Sequence, residues 1–198
     1  MRGRLVVLEG GEGCGKSTQA ARLASRLDAV LTREPGGTEM GERIRALVLD
    51  PASEDLDART EALLMAAARA QHVAEVVVPA LRAGRHVVSD RFTGSSLAYQ
   101  GFGRGLPVAE VRDLSVFATA GLEPDVVVLL DVAAADAARR RGPDTDRLEA
   151  EGEAFHRRVG EGFAALAAAD PDRWVVVDGS GDPDAVAGRV WRAVSDRL

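Results

Sequence analysis

Eight residues, Gly10-Gly11-Glu12-Gly13-Cys14-Gly15-Lys16-Ser17, separate the apolar run Leu5–Leu8 from a helical pattern over Ser17–Leu27. The spacing is G-x-x-x-x-G-K-[ST] between a strand and a helix, and no other feature constrains the fold as tightly. Glycines let the backbone turn so that successive N–H groups converge on phosphate oxygens, and the start of the helix adds partial positive charge. Lys16 is then placed to bridge the terminal phosphates of a nucleotide and Ser17 to meet Mg²⁺. Gly10, Gly11, Glu12, Gly13, Cys14, Gly15, Lys16, Ser17 and Thr18 form the candidate ATP cradle. The alternative, a glycine-rich turn with no ligand, does not account for the lysine. The chain has 25 basic residues, and Lys16 is its single lysine, a slim point charge where a planar guanidinium does not fit. The Cys14 thiol, set among the same N–H groups, is expected either to be acidified, so that alkylation blocks ATP binding, or to be a small filler.

The remainder alternates in the same way. Val30–Thr32, His86–Ser89, Val126–Asp131 and Trp174–Asp178 read as further buried strands, Val-rich and without polar alternation. Between them Glu39–Leu49, Arg59–Ala83, Val108–Ala120, Glu149–Ala169 and Pro183–Leu198 read as helices, the last with Asp182 as N-cap and Pro183 in its first turn. The pattern predicts an α/β fold, a three-layer αβα sandwich around a five-stranded parallel sheet, within one domain over 1–198. Ligands of such sheets collect at the carboxyl ends of the strands.

Net charge −6 and a pI near 5.2 argue against a protein that coats nucleic acid. With Cys14 as the one cysteine there is no disulfide framework, and His72, His86 and His156 lack ligand spacing and read as structural. The N-terminal apolar run is too short for a signal peptide or a membrane span, so no membrane partner and a cytoplasmic location are expected.

A phosphate cradle serves switches, motors and kinases alike. Guanine-reading switches use an Asn-Lys-x-Asp loop, yet this chain contains no asparagine and its lysine is committed to the cradle. No water-positioning group for a mechanical ATPase is identifiable. A kinase needs an acceptor site, and Val87-Val88-Ser89-Asp90-Arg91-Phe92 puts an acid and a base at the end of a strand. Asp90 suits Mg²⁺, directly or through water. Arg91 suits an acceptor that is itself a phosphate, because a guanidinium between two anionic groups reduces their repulsion and aligns their oxygens. A monophosphate oxygen is already anionic, so the absence of an evident general base is consistent.

Thr32-Arg33-Glu34-Pro35-Gly36-Gly37-Thr38, then Asp90-Arg91-Phe92, then Ser95-Ser96-Leu97-Ala98-Tyr99-Gln100-Gly101 resemble thymidylate kinase signatures in order and spacing, over essentially the whole chain. The resemblance implies transfer of the γ-phosphoryl group of ATP to dTMP, with Mg²⁺, by a homodimer. It places Arg91 and Arg45 on the dTMP phosphate, with Glu12 at the same end, and Glu34 near the deoxyribose. Arg69 would bond the thymine edge, Ser96 and Gln100 would contact the base, and Tyr99 would crowd the 2′ position. Met65 stands where the family usually has a stacking Phe, which predicts weaker grip on the base. Another small kinase, acting on a deoxynucleoside or a different pyrimidine monophosphate, is the competing reading; for a nucleoside acceptor Glu34 is the candidate base.

Arg139-Arg140-Arg141-Gly142-Pro143-Asp144-Thr145-Asp146-Arg147 reads either as a solvated charge run or as a mobile lid spanning about 136–150. The cradle carries Glu12 and no arginine, and family variants of that kind resemble this chain in keeping a catalytic Arg on the lid. Arg139, Arg140, Arg141 and Arg147 are all candidates, while Asp146 and Glu149 resemble positions near the metal or its waters.

Overall fold

The computed structural model describes residues 2–140 and 146–198. Strands β1 (Leu5–Glu9), β2 (Val30–Arg33), β3 (Val87–Asp90), β4 (Val126–Asp131) and β5 (Trp174–Asp178) form one parallel sheet in the order β2-β3-β1-β4-β5. β1 is central and buried throughout, with Val7 opposite Ser89 on one side and Val127 on the other. Because both faces are covered, residues of either parity are apolar, which is why the strands show no alternation.

Alternate residues nonetheless feed separate cores. Val6, Leu8, Val88 and Val128 meet Leu23 of α1 (Lys16–Leu27) and Val190 of the C-terminal helix on one face. Leu5, Val7, Val87 and Val127 meet Val73, Val77 and Leu81 on the other. Helices α2 (Glu39–Leu49) and α3 (Ala58–His72) follow β2. Thr38 Oγ1 caps α2 by accepting from Gly41 N at 2.9 Å, and Asp57 Oδ1 caps α3 by accepting from Arg59 N at 2.9 Å.

The helix expected over Arg59–Ala83 is one continuous rod with a wider turn inside it. After α3 come a π-turn, Val73–Val77, and a last segment, α4 (Val78–Arg82). Pro79 lies in that segment and brings no N–H, and the π-turn accommodates the missing ladder bond. A second departure follows β3, where a short α5 (Thr93–Ser96) runs into a π-turn, Leu97–Gly103, in a stretch read only as a signature. Its glycines disfavour helix on propensity, and packing overrides them: a Cβ at Gly103 would lie 2.7 Å from the Phe155 ring. The π-turn matters because it carries Tyr99 and Gln100.

Helices α6 (Val108–Thr119), α7 (Ala134–Arg140), α8 (Glu153–Ala169) and α9 (Pro183–Ser195) complete the three layers. α8 starts after Gly152 rather than at Glu149, because Asp146 Oδ1 holds Leu148 N and Glu149 N in a separate turn, each at 2.9 Å. Asp182 caps α9 as expected, accepting from Asp184 N at 2.8 Å. No helix among the described residues is long and apolar enough to cross a membrane.

Candidate active site

A cavity of about 690 Å³ opens at the carboxyl ends of β1, β2 and β3, the position the topology assigns to a ligand. One end is the glycine loop between β1 and α1. Gly13 (φ 75°) and Gly15 (φ 91°) occupy left-handed conformations, and a Cβ at Gly13 would sit 2.2 Å from the Ala137 carbonyl oxygen of α7. Lys16 is buried and donates to Gly11 O at 2.7 Å, curling back over the loop. Ser17 Oγ donates to Asp90 Oδ2 at 2.5 Å across the mouth of the sheet.

Asp90 Oδ1 is enclosed and has no hydrogen-bond partner among the described residues. An orphaned carboxylate oxygen costs about 1–3 kcal/mol or more unless a cation or water satisfies it. Beside the Ser17 hydroxyl, it suits a hard divalent ion that takes its other oxygens from phosphates and water. No cluster of three His, Cys, Asp or Glu ligands occurs among the described residues.

Arg91 follows at φ 73°, a left-handed conformation that strains a bulky residue by about 1–3 kcal/mol. Neighbours on both sides enforce it. Its Nη1 donates to Gly10 O at 3.2 Å and Ser95 Oγ at 3.0 Å, and its Nη2 pairs with Glu12 and reaches Tyr99 Oη at 3.3 Å. Behind the turn, fully buried Glu9 accepts from Phe92 N and Ser95 N, each at 3.0 Å, and from Ser95 Oγ at 2.6 Å. Burial dominates there and raises the Glu9 carboxyl to about 7 despite those bonds and the Arg91 charge. For Glu12 burial also pushes upward, but the charges of Arg91 and Lys16 outweigh it and leave the carboxyl at about 2. Burial and then the Glu12 charge hold Glu149 above the usual carboxylate range. Burial raises the Tyr99 phenol too, keeping it a donor to Glu12 Oε1 at 2.8 Å.

The far end of the cavity is made of side chains on helices. Arg69, 3% exposed, donates through Nε to Glu34 Oε2 at 2.7 Å, and through Nη2 to Phe92 O at 3.1 Å and Ser96 Oγ at 2.9 Å. His72 Nδ1 meets the other Glu34 oxygen at 2.8 Å, and its Nε2 meets Thr32 Oγ1 at 2.6 Å. Met65, buried, lines the wall one helical turn before Arg69. Arg45 of α2 reaches the rim and donates to Pro35 O at 3.0 Å.

This arrangement has counterparts. The family profile described as thymidylate kinase matches residues 8–190. The chain belongs to the thymidylate kinase family. It is 50% identical to the thymidylate kinase of Synechococcus sp. (strain JA-3-3Ab) over 198 residues, 98% of this chain and 96% of that protein. To the thymidylate kinase of Desulforudis audaxviator it is 47% identical over 201 residues, 98% of this chain and 91% of that one. Its fold superposes on the crystal structure of thymidylate kinase from Ehrlichia chaffeensis with a TM-score of 0.81 at 29% identity, covering 98% and 99% of the two chains. Family and sheet topology agree with the expected parallel αβα architecture.

Within this kinase fold, the residues expected to bind nucleotide or acceptor line this cavity from Glu12 to Gln100, whereas Gly10 and Gly11, also expected in the cradle, are not part of its wall. The four arginines expected on a lid divide. Arg140 lines the cavity and donates to Gly179 O at 3.1 Å. Arg139 points outward to its neighbour Asp136, and Arg141 lies outside the described residues. Arg147 is not in the cavity wall: it is 6% exposed, bonded to Val48 O at 2.8 Å and to Glu61 at 2.5 Å. Cys14 is buried, its sulfur 3.5 Å from Lys16 Nζ and packed against Gly10, which suits the filler of the two readings. Glu9, Ser95, His72 and Glu61 went unread in the sequence as site residues. Only Glu61 carried a signal, its spacing of one turn before Met65 on the α3 face that also bears Arg69.

Proposed function

We propose that the chain transfers the γ-phosphoryl group of ATP to dTMP, yielding dTDP and ADP, by holding two anionic substrates in line between the glycine loop and Arg91. Family membership carries the activity: the enzyme is a dTMP kinase, and that reading is favoured over a deoxynucleoside kinase or a kinase for another pyrimidine. The roles of individual residues are supported by the geometry. The loop amides and Lys16 take the ATP phosphates. Arg91, oriented by Ser95, Gly10 and Glu12, takes the acceptor phosphate with Arg45, whose recorded bond is to a backbone carbonyl and leaves donors for an anion. Since the acceptor oxygen is anionic, no general base is required, and catalysis comes from position and charge. Ser17 and Asp90 would hold Mg²⁺, which when bound neutralises charge on the phosphates.

Arg140 is the lid arginine best placed to approach the transferring group, whereas Arg147 anchors the base of the lid beneath the substrate. Glu34 faces the sugar side with both oxygens engaged, which suits a positioning role rather than proton abstraction. A homodimer is supported by apolar side chains left exposed on three helices packed side by side: Leu47, Leu63, Val116 and Phe117, the last 85% exposed. Phe117→Asp should halve the mass seen by light scattering; an unchanged mass rejects this interface. The cytoplasm is the compartment we infer for an enzyme of nucleotide synthesis.

The deciding experiment is ADP release from Mg-ATP with dTMP, dUMP, dCMP, dGMP, AMP, UMP, thymidine or no acceptor, with and without a chelator. Strong preference for dTMP, inert thymidine and loss of rate on chelation are expected. A better rate with thymidine would overturn the monophosphate reading built on Arg91.

A further inference from the structure

We infer that Glu61 sets which pyrimidine the enzyme accepts by fixing the polarity of the Gln100 side chain; this rests on assigning the Met65–Arg69–Gln100 end of the cavity to the base. Glu61 is fully buried and faces no substrate. Its Oε1 accepts from Gln100 Nε2 at 2.8 Å, while its Oε2 accepts from Arg147 Nη2 at 2.5 Å and Arg104 Nη2 at 3.1 Å. A carboxylate paired with two guanidinium groups has lone pairs and no hydrogen to give, so the Gln100 amide faces it only through its nitrogen. The amide oxygen is thereby turned the other way. Gln100 lines the cavity, its Oε1 is not sealed off, and no donor among the described residues reaches it.

Glu61, Met65 and Arg69 stand at four-residue intervals on one face of α3, so a single helix carries the amide's anchor, the wall and the neighbouring guanidinium. Arg69 is donor-only, and its contacts with Glu34, Phe92 O and Ser96 lock it in place. The cavity therefore presents an acceptor from Gln100 beside a donor from Arg69. A base with N3–H next to a 4-carbonyl matches this pair. Cytosine, with an N3 acceptor next to a 4-amino group, opposes both. Uracil shows the same edge as thymine, so this device leaves the 5-methyl group unread. A polar site of this kind discriminates because the wrong base leaves buried groups unpaired.

The test measures kcat/KM for dTMP and dCMP on single preparations of the wild type, Glu61→Gln and Gln100→Met. The ratio of the two values does not depend on the fraction of folded enzyme. Glutamine at 61 can donate as well as accept, which frees the Gln100 amide to turn. The dTMP-to-dCMP preference should fall about tenfold or more in Glu61→Gln. If Glu61 merely anchors Arg147 and the lid, both acceptors decline together and the ratio stays at the wild-type value, which overturns the inference. Gln100→Met should weaken dTMP use. Unchanged dTMP kinetics in that variant remove the base assignment, and the role of Glu61 with it. Should Glu61→Gln not fold, a crystal structure of the wild type with dTMP decides: N3 bonded to Gln100 Oε1 supports the inference, and N3 facing any other group overturns it.

Discussion

At the phosphate end of the cavity, beside the Arg91–Glu12 pair, Asp90 Oδ1 is buried without a partner among the described residues, and Arg45 donates to a backbone carbonyl. At the base end the reverse holds. Glu34 is shared by Arg69 and His72, and Glu61 by Gln100, Arg104 and Arg147, all buried except the half-buried Arg104. The first end leaves a carboxylate oxygen for a cation or water to satisfy. The second is complete before the substrate arrives and presents a finished pattern of donors and acceptors. Chemistry and recognition are thus separated by how each region satisfies its own charges, and substitutions at the two ends should fail differently.

The largest effect is expected at the phosphate end. Lys16→Ala and Arg91→Ala should each lower kcat by about a thousandfold, near 4 kcal/mol at ~1.4 kcal/mol per decade; Arg91→Ala, which strips Glu12 of its paired guanidinium, should lower the melting temperature as well. A variant keeping more than about a tenth of wild-type kcat removes its assigned role. At the base end the order of damage inverts. Glu34→Ala leaves Arg69 as an uncompensated buried charge, so it should destabilise the fold by about 3 kcal/mol in urea unfolding as well as raise the KM for dTMP. If Glu34→Ala unfolds like the wild type while Lys16→Ala is destabilised, the contrast between the two ends is wrong.

The same contrast explains what could be read in advance. In the glycine loop, backbone geometry dictates the residue type at each position, so Gly13, Gly15, Lys16 and Ser17 announce their roles in order. The parallel sheet was legible for a similar reason, because a strand buried on both faces must be apolar at every position. Glu9 offered no such clue, and Glu61 only its spacing of one turn before Met65. A carboxylate in the first turn of a helix, or at the end of a strand, is ordinary in solvent, and what buries these two comes from far along the chain. Gln100 lies 39 residues from Glu61, Arg147 lies 86 away, and Ser95 lies 86 from Glu9. The π-turn holding Tyr99 and Gln100 was equally opaque, since its glycines argue against helix until the α8 aromatic side chains are packed on them.

Between the ends, Glu9 offers a smaller and pH-dependent measure. Its carboxyl stands at about 7 in the folded protein against 4.5 when free, so the folded state binds the extra proton between those values. The sign follows: this contribution to stability is fully present below about pH 4.5 and is lost as pH rises through about 7. Glu12, lowered to about 2, contributes nothing that varies in this window. Relative to Glu9→Gln, the wild type should therefore lose on the order of 2 kcal/mol of unfolding free energy from about pH 5 to about pH 7. Parallel pH profiles for the two proteins would mean that the turn carrying Arg91 is not held by a proton-binding carboxylate.

The smallest expected change sharpens the base end from inside the cavity. Met65 is buried in the same apolar cluster as Leu97 and Tyr99 and borders the open volume, so its thioether is the surface a pyrimidine ring would lie on. A thioether is polarisable and adapts its shape, but it spreads less area over a ring than another ring does. Met65→Phe adds that area where the cavity, not packed protein, receives it, and Glu61 and Arg69 on the same helix face keep their partners. Aromatic contacts of this kind are worth about 0.5–1.5 kcal/mol, so the KM for dTMP should fall about threefold with kcat nearly unchanged. A fall in KM for dTMP and dCMP alike would show that stacking supplies affinity while the Gln100–Arg69 edge supplies selection. An unchanged or higher KM would mean that the base does not lie against this side chain, and the recognition end of the cavity would have to be redrawn around Phe92 and Tyr99.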